Sequence, residues 1–302
     1  MSGLWSGIAA YTIWGLFPLY WKLVEHVPAL QIIGHRIVWS FLALIVVGAV
    51  RLRGSLATSS ARFLSVTRRV LGIYALAAIL ISINSFLYVY AVNSGLVLET
   101  SLGYFITPLV SILLGVVVLR ERLRPLQWIA VALAAAGVLH LTLSYGSLPW
   151  IAMGLAFSFG SYGLVKKKAP LDALVGLTLE TGIIVIPAAA YLLAVNADGH
   201  GAFLHTGAAA DALLIGGGPV TVVPLLLFAA AVRRVPLTLI GLLQYIAPTI
   251  QFFLGVFLYG EPFAGTRLIG FAIVWTALVV FSIDSLRARS LSSMTVLDEG
   301  AA

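Results

Sequence analysis

Ten apolar runs of about 20 residues each, separated by charges, Pro or Gly, constrain this sequence more than any other feature. They lie near 4–21, 30–50, 70–92, 97–119, 125–143, 148–165, 173–195, 211–232, 236–259 and 264–283. A helix rises about 1.5 Å per residue, so about 20 residues cross the roughly 30 Å of bilayer hydrocarbon. Of the 302 residues, 61% are hydrophobic and 10% charged. A water-soluble fold has too little interior to hide that much apolar surface, which excludes a soluble globule. The start, Met1-Ser2-Gly3-Leu4-Trp5, lacks the basic residues of a cleavable signal, so the first run is expected to be a retained span.

The distribution of positive charge gives a second, independent reading. Fifteen Lys and Arg fall in alternate connections: Arg51, Arg53, Arg62, Arg68 and Arg69; Arg120, Arg122 and Arg124; Lys166, Lys167 and Lys168; Arg233 and Arg234; Arg287 and Arg289. The other connections hold only Lys22 and Arg267, and Arg36 lies inside the second run. Cytoplasmic loops carry the positive excess, so both termini are expected in the cytoplasm of an inner-membrane, multi-pass protein. The same pattern explains the net charge of +7 without nucleic acid as a partner.

The two halves also resemble each other. A shift of 140 residues aligns Ile106 with Ile246, Pro108 with Pro248, Leu114-Gly115-Val116 with Leu254-Gly255-Val256, and Glu121 with Glu261. With five spans per half, the second half enters the membrane in the opposite sense. The expected fold is therefore all-α and integral to the membrane, with ten transmembrane helices in two inverted five-helix repeats. The first repeat covers 1–143, the second 148–285, and 286–302 form a cytoplasmic tail. Inverted repeats are a common plan for secondary transporters, because rocking one half against the other exposes a central site to each side in turn.

Longer stretches identify a family resemblance. Ala10-Tyr11-Thr12-Ile13-Trp14-Gly15-Leu16-Phe17-Pro18, His35-Arg36-Ile37-Val38-Trp39-Ser40, Glu99-Thr100-Ser101-Leu102-Gly103-Tyr104-Phe105-Ile106, Arg120-Glu121-Arg122-Leu123 and Leu243-Gln244-Tyr245-Ile246-Ala247-Pro248 resemble the EamA-type transporters of the drug/metabolite transporter superfamily. Within them the RarD group is the most similar. The resemblance implies ten helices in two five-helix repeats and transport of small molecules.

Ionisable groups inside hydrocarbon are expensive and usually face a water-filled path or a partner. Arg36, with His35 beside it, lies in the second run; Glu99 begins the fourth, and Glu180 lies inside the seventh. Arg36 is a candidate for binding an anionic substrate group, for holding a gate, or for pairing with a Glu to fix helix packing. Glu99 and Glu180 are candidate proton carriers for a coupled cycle. Together with His35, Arg36, Glu99 and Glu180, the residues Tyr11, Trp14, Asn84, Tyr88, Tyr104, Gln244 and Tyr245 are candidate residues of a central substrate pathway. Pro108 and Pro248 each remove a helix hydrogen bond in mid-span and mark candidate bends. Gly216-Gly217-Gly218-Pro219 and Pro224 make the eighth run the one expected to be most irregular.

The chain contains no cysteine, which excludes disulfides and Cys-based metal sites. It also lacks His-Glu-x-x-His, Gly-x-Ser-x-Gly and Gly-x-x-x-x-Gly-Lys patterns, so no cofactor, metal or ATP site is expected. The expected function is secondary active transport, in the export direction, of small metabolites or drugs. A passive facilitator or channel, or a membrane-embedded enzyme, is the competing class.

Overall fold

The computed structural model describes residues 3–52, 67–94, 96–145, 148–260, 265, 269–270, 272–281 and 283–284. Arg53, Arg62, Glu261, Arg267, Arg287, Arg289 and the tail expected at 286–302 lie outside the described residues, as do the side chains of Arg51 and Glu99. The described chain is helical, with no strand among those residues. The helices are α1 (Gly3–Trp21), α2 (Ala29–Leu52), α3 (Arg68–Asn93), α4 (Val97–Val117), α5 (Pro125–Tyr145), α6 (Trp150–Lys168), α7 (Ala173–Ala197), α8 (Ala208–Val232), α9 (Leu237–Leu243) and α10 (Ile246–Phe253). A π-helical turn, Leu254–Leu258, extends α10, and a short apolar helix, α11, covers Ala272–Phe281.

Among the described residues six stretches are both long and apolar enough to cross a bilayer: Ala29–Val50, Arg68–Ala91, Pro125–Leu143, Ala173–Ala197, Ala208–Val232 and Leu237–Leu258. The polarity is that of a protein dissolved in lipid. Ile186, Leu193, Leu143 and Phe257 are each more than 70% exposed, while Lys166 and Glu180 are buried. Several threonine hydroxyls are satisfied within their own helices, as hydrocarbon favours. Thr107, Thr178, Thr181 and Thr249, for example, each donate to the carbonyl one turn back. The chain is a multi-pass membrane protein.

Helix contacts follow a pattern that survives exchange of the two halves. α1 packs on α8 as α3 packs on α6; α1 packs on α9–α10 as α4 packs on α6; and α2 packs on α8 as α3 packs on α7. The pairs α2–α7 and α4–α9 map onto themselves. Glycine sets the closest of these approaches. A Cβ on Gly218 would lie 2.4 Å from the Trp39 carbonyl carbon, and one on Gly241 would lie 2.7 Å from the Pro108 oxygen.

Two proline-rich segments behave differently from each other. The eighth run, expected to be the most irregular, is one uninterrupted helix despite Pro219 and Pro224, and its Gly216-Gly217-Gly218 are packed against Tyr20, Trp21 and Trp39. The ninth run is broken at Gln244–Tyr245, between α9 and α10. The break has a direct cause in Pro248: its ring clashes with the carbonyl four residues earlier, that of Gln244, and it offers no N–H to bond it. Pro108, by contrast, sits inside the continuous helix α4.

Candidate substrate cavity

A cavity of about 480 Å³ lies between the two halves of the chain, with walls from α1, α2, α3, α4, α6, α8 and the α9–α10 break. Seven of the expected pathway residues line it: Tyr11, Trp14, Arg36, Asn84, Tyr88, Tyr104 and Gln244. Pro248 lines it too, so the break that this proline causes opens onto the cavity. Tyr88 and Tyr104 are 39% and 44% exposed, with ring centroids 6.4 Å apart. Two tyrosines on helix interiors keep that exposure because they face an open space.

Arg36 is the one charged residue in the described lining of the cavity. Its Nε donates to Thr221 Oγ1 at 3.2 Å, and its guanidinium stacks over Trp21, 5.0 Å from the ring centroid. Tyr88 and Tyr104 lie within electrostatic reach of it. Among the described residues no carboxylate pairs with Arg36.

The amides are held by the opposite half of the chain. Asn84 Nδ2 donates to Leu155 O and Ser158 Oγ, both at 3.0 Å, and Gln244 exchanges hydrogen bonds with Ser111. The Tyr11 hydroxyl is turned toward Gln244 without reaching good hydrogen-bond geometry. Gln251 Nε2 donates to Trp14 O at 3.2 Å.

One end of the cavity is sealed in layers that can be followed down α6. Leu155 and Phe159 line the cavity, and Tyr162, stacked on Phe228 with ring centroids 6.0 Å apart, belongs to the dry core beneath it. Lys166 comes one turn further. Spacings of four, three and four residues put these groups on one helix face. Lys166 Nζ donates to Glu180 Oε2 at 2.7 Å, with both side chains 3% exposed, and lies 5.6 Å from the ring centroids of Tyr74 and Tyr162.

Further bonds close the same end. Tyr74 bonds both backbone groups of Leu171, whose carbonyl also accepts from Arg233. Lys167 Nζ donates to Val232 O and Val235 O, and Glu121 accepts from the backbone N–H of Leu237 and Thr238 at 2.7 and 2.8 Å. Glu121 thus caps α9 from the α4–α5 connection.

Three expected pathway residues stand off the cavity. Glu180 is buried in its ion pair. His35 packs on Phe203, with ring centroids 5.0 Å apart, beside the α7–α8 connection. Tyr245 is wholly buried, and its hydroxyl donates to Phe105 O at 3.3 Å. The side chain of Glu99, the fourth, lies outside the described residues.

Thr107, Phe159, Thr221 and Gln251 line the cavity without having been read from the sequence. Gln251 carried a signal: it follows Gln244 by two helical turns and so falls on the same face. Thr221 carried none, being one hydroxyl in a long apolar run. Among the described residues no three His, Asp or Glu side chains come together.

Comparison with known proteins agrees with this architecture. A family described as the EamA-like transporter family matches residues 1–143. The chain is 45% identical to an uncharacterised transporter of Bacillus subtilis, YojE, over 94% of each chain. It is 46% identical to the protein RarD of Streptomyces exfoliatus, covering 96% of this chain and 91% of that one. With the protein RarD of Escherichia coli it shares 42% identity over 97% of each chain. One crystal structure superposes with a TM-score of 0.69 at 17% identity, over 95% of this chain and 98% of the other.

Proposed function

We propose that this chain, which belongs to the RarD proteins of the EamA-like transporter family, is a secondary active transporter that exports small molecules by alternating access. The observation that carries this reading is the cavity walled by both halves and shut at the Lys166–Glu180 end. Tyr11, Trp14, Arg36, Asn84, Tyr88, Tyr104 and Gln244 form the substrate pathway in this account.

The ten spans are α1 to α8, the broken α9–α10 unit and the segment containing α11, in two inverted repeats over 1–143 and 148–285. The exchange of helix contacts between halves supports that arrangement. So does the meeting of Phe105 with Tyr245, which the 140-residue shift makes equivalent: residues related by a two-fold axis touch only beside that axis. With positive charge inside, both termini lie in the cytoplasm of the inner membrane and the sealed end faces inward. The cavity is then outward-facing.

Glu180 is the proposed proton-responsive group of the cycle, acting at the inner seal, and the break at Gln244–Tyr245 is a hinge of the kind that transporters place at their substrate sites. The test is flux in proteoliposomes across a panel of metabolites and drugs, with and without an imposed pH gradient. Saturable, gradient-driven flux without chemical change is expected. Flux that ignores the gradient would mark a facilitator, and a converted substrate would mark an enzyme.

A further inference from the structure

We infer that the cavity selects organic monoanions with a flat aromatic body, and discriminates against cations and zwitterions of the same shape; this rests on the transport reading above and specifies its substrate class. The charge in the cavity is one-sided. Arg36 supplies a fixed cation, and no Asp or Glu joins it in the described lining. Arginine stays protonated under all relevant conditions and presents a planar edge that matches a carboxylate.

The way Arg36 is held leaves that edge available. The Nε is used by Thr221, and one face of the guanidinium is covered by Trp21. No described residue accepts from the two terminal nitrogens, which keep their donors for a ligand. A guanidinium with no carboxylate partner among the described residues, in a half-buried, mostly apolar space, is costly unless water or an anion satisfies it, so binding an anion relieves that cost. Tyr88 and Tyr104 line the same space, and their hydroxyls add donors that suit the same anion.

The rest of the wall sets the body of the ligand. Tyr11, Trp14, Trp21, Tyr104 and Phe159 are aromatic surfaces on several sides, which suits a planar ring by stacked or edge contacts. An ammonium group would find aromatic faces too, but it would share a low-dielectric space with Arg36 and meet no opposing charge among the described lining residues. Like charges in such surroundings repel strongly. A zwitterion gains at its carboxylate and loses at its ammonium, so it ranks between the two.

The test uses matched probes: phenylacetate, phenylacetamide, phenethylamine and phenylalanine, with the corresponding indole-3-acetate, indole-3-acetamide, tryptamine and tryptophan. Binding to the purified full-length protein in detergent is measured by calorimetry, for the wild type, Arg36→Gln, Arg36→Lys and Thr221→Val. The carboxylates are expected to bind at least ten-fold more tightly than their amides and the amines most weakly. Arg36→Gln removes a charge-assisted hydrogen bond and should weaken the carboxylates roughly ten- to a hundred-fold, leaving the amides unchanged. Arg36→Lys should retain part of the preference, and Thr221→Val, which frees the guanidinium without removing it, should lose a smaller factor.

Amides or amines that bind as tightly as the carboxylates, carboxylates indifferent to Arg36→Gln, or no carboxylate binding in either series would overturn the inference. Should Arg36→Gln misfold, the ranking in the wild type and the Thr221→Val shift still decide it. Proteoliposome flux separates the two levels. Saturable transport of neutral or cationic compounds only would refute the anion preference and leave the transporter standing. Tight carboxylate binding with no flux in either direction would do the reverse.

Discussion

Breaking the Lys166–Glu180 pair one side at a time should destabilise the protein far more than removing both sides together. The pair lies at 2.7 Å with each side chain 3% exposed, so it belongs with buried ion pairs rather than with surface pairs of little worth. Lys166→Met leaves the Glu180 carboxylate buried with no cation, for which the expected loss is about 3–5 kcal/mol. Glu180→Gln leaves an acceptor for Lys166 and the nearby rings of Tyr74 and Tyr162, so its loss should be about 2–3 kcal/mol.

The double variant Lys166→Met/Glu180→Leu removes both desolvated charges and should come within about 1–2 kcal/mol of the wild type, because apolar replacement of a buried pair is often neutral or better. The assay is a double-mutant cycle, with unfolding followed by far-ultraviolet circular dichroism in mixed micelles of rising sodium dodecyl sulfate fraction. Losses that simply add in the double variant would refute the reasoning, since they would mean that the two groups do not depend on each other.

Four further outcomes follow from other contacts. Glu180→Gln should abolish the pH-gradient dependence of flux while substrate affinity, measured by calorimetry, stays near wild type; unchanged driven uptake in vesicles would count against the proton-responsive role. Glu121→Ala removes the carboxylate that accepts from Leu237 and Thr238, and should lower stability by about 1–2 kcal/mol in the same micelle assay. Gly218→Ala places a methyl 2.4 Å from the Trp39 backbone and should cause a large loss, whereas Gly48→Ala meets open space and should be near neutral; thermal denaturation in detergent compares them. Pro248→Ala restores the missing N–H, so hydrogen exchange should slow around Gln244 and Tyr245 while flux falls.

Much of the helical layout was legible because lipid leaves few choices. The runs at 125–143 and 173–195 correspond to helices Pro125–Tyr145 and Ala173–Ala197, since an apolar segment bounded by polar residues must satisfy its backbone internally. Seven cavity-lining residues were legible for a related reason: a polar or aromatic group retained in hydrocarbon usually faces the interior.

The rest depended on three-dimensional pairing. Lys166 read as one of three cytoplasmic lysines, and only its place on the Leu155–Tyr162 face of α6 distinguishes it from its neighbours. Its partner Glu180 lies across a turn on another helix, where no local pattern announces it. The location of the helix break was within reach, because Pro248 acts four residues upstream of itself. Pro219 and Pro224 show why the rule is incomplete: they lie in an uninterrupted helix whose Gly218 packs tightly against Trp39.

The account stands most directly on one accessibility measurement. The chain has no cysteine of its own, so Ala247→Cys places a single small thiol in the cavity wall. Oriented vesicles are treated with a membrane-impermeant maleimide on one side at a time, at rest and during turnover. Labelling from the outer face at rest, with inner-face labelling appearing only during turnover, is the predicted result. Simultaneous access from both faces, or access from one face that turnover never changes, would contradict a cavity that alternates between the two sides.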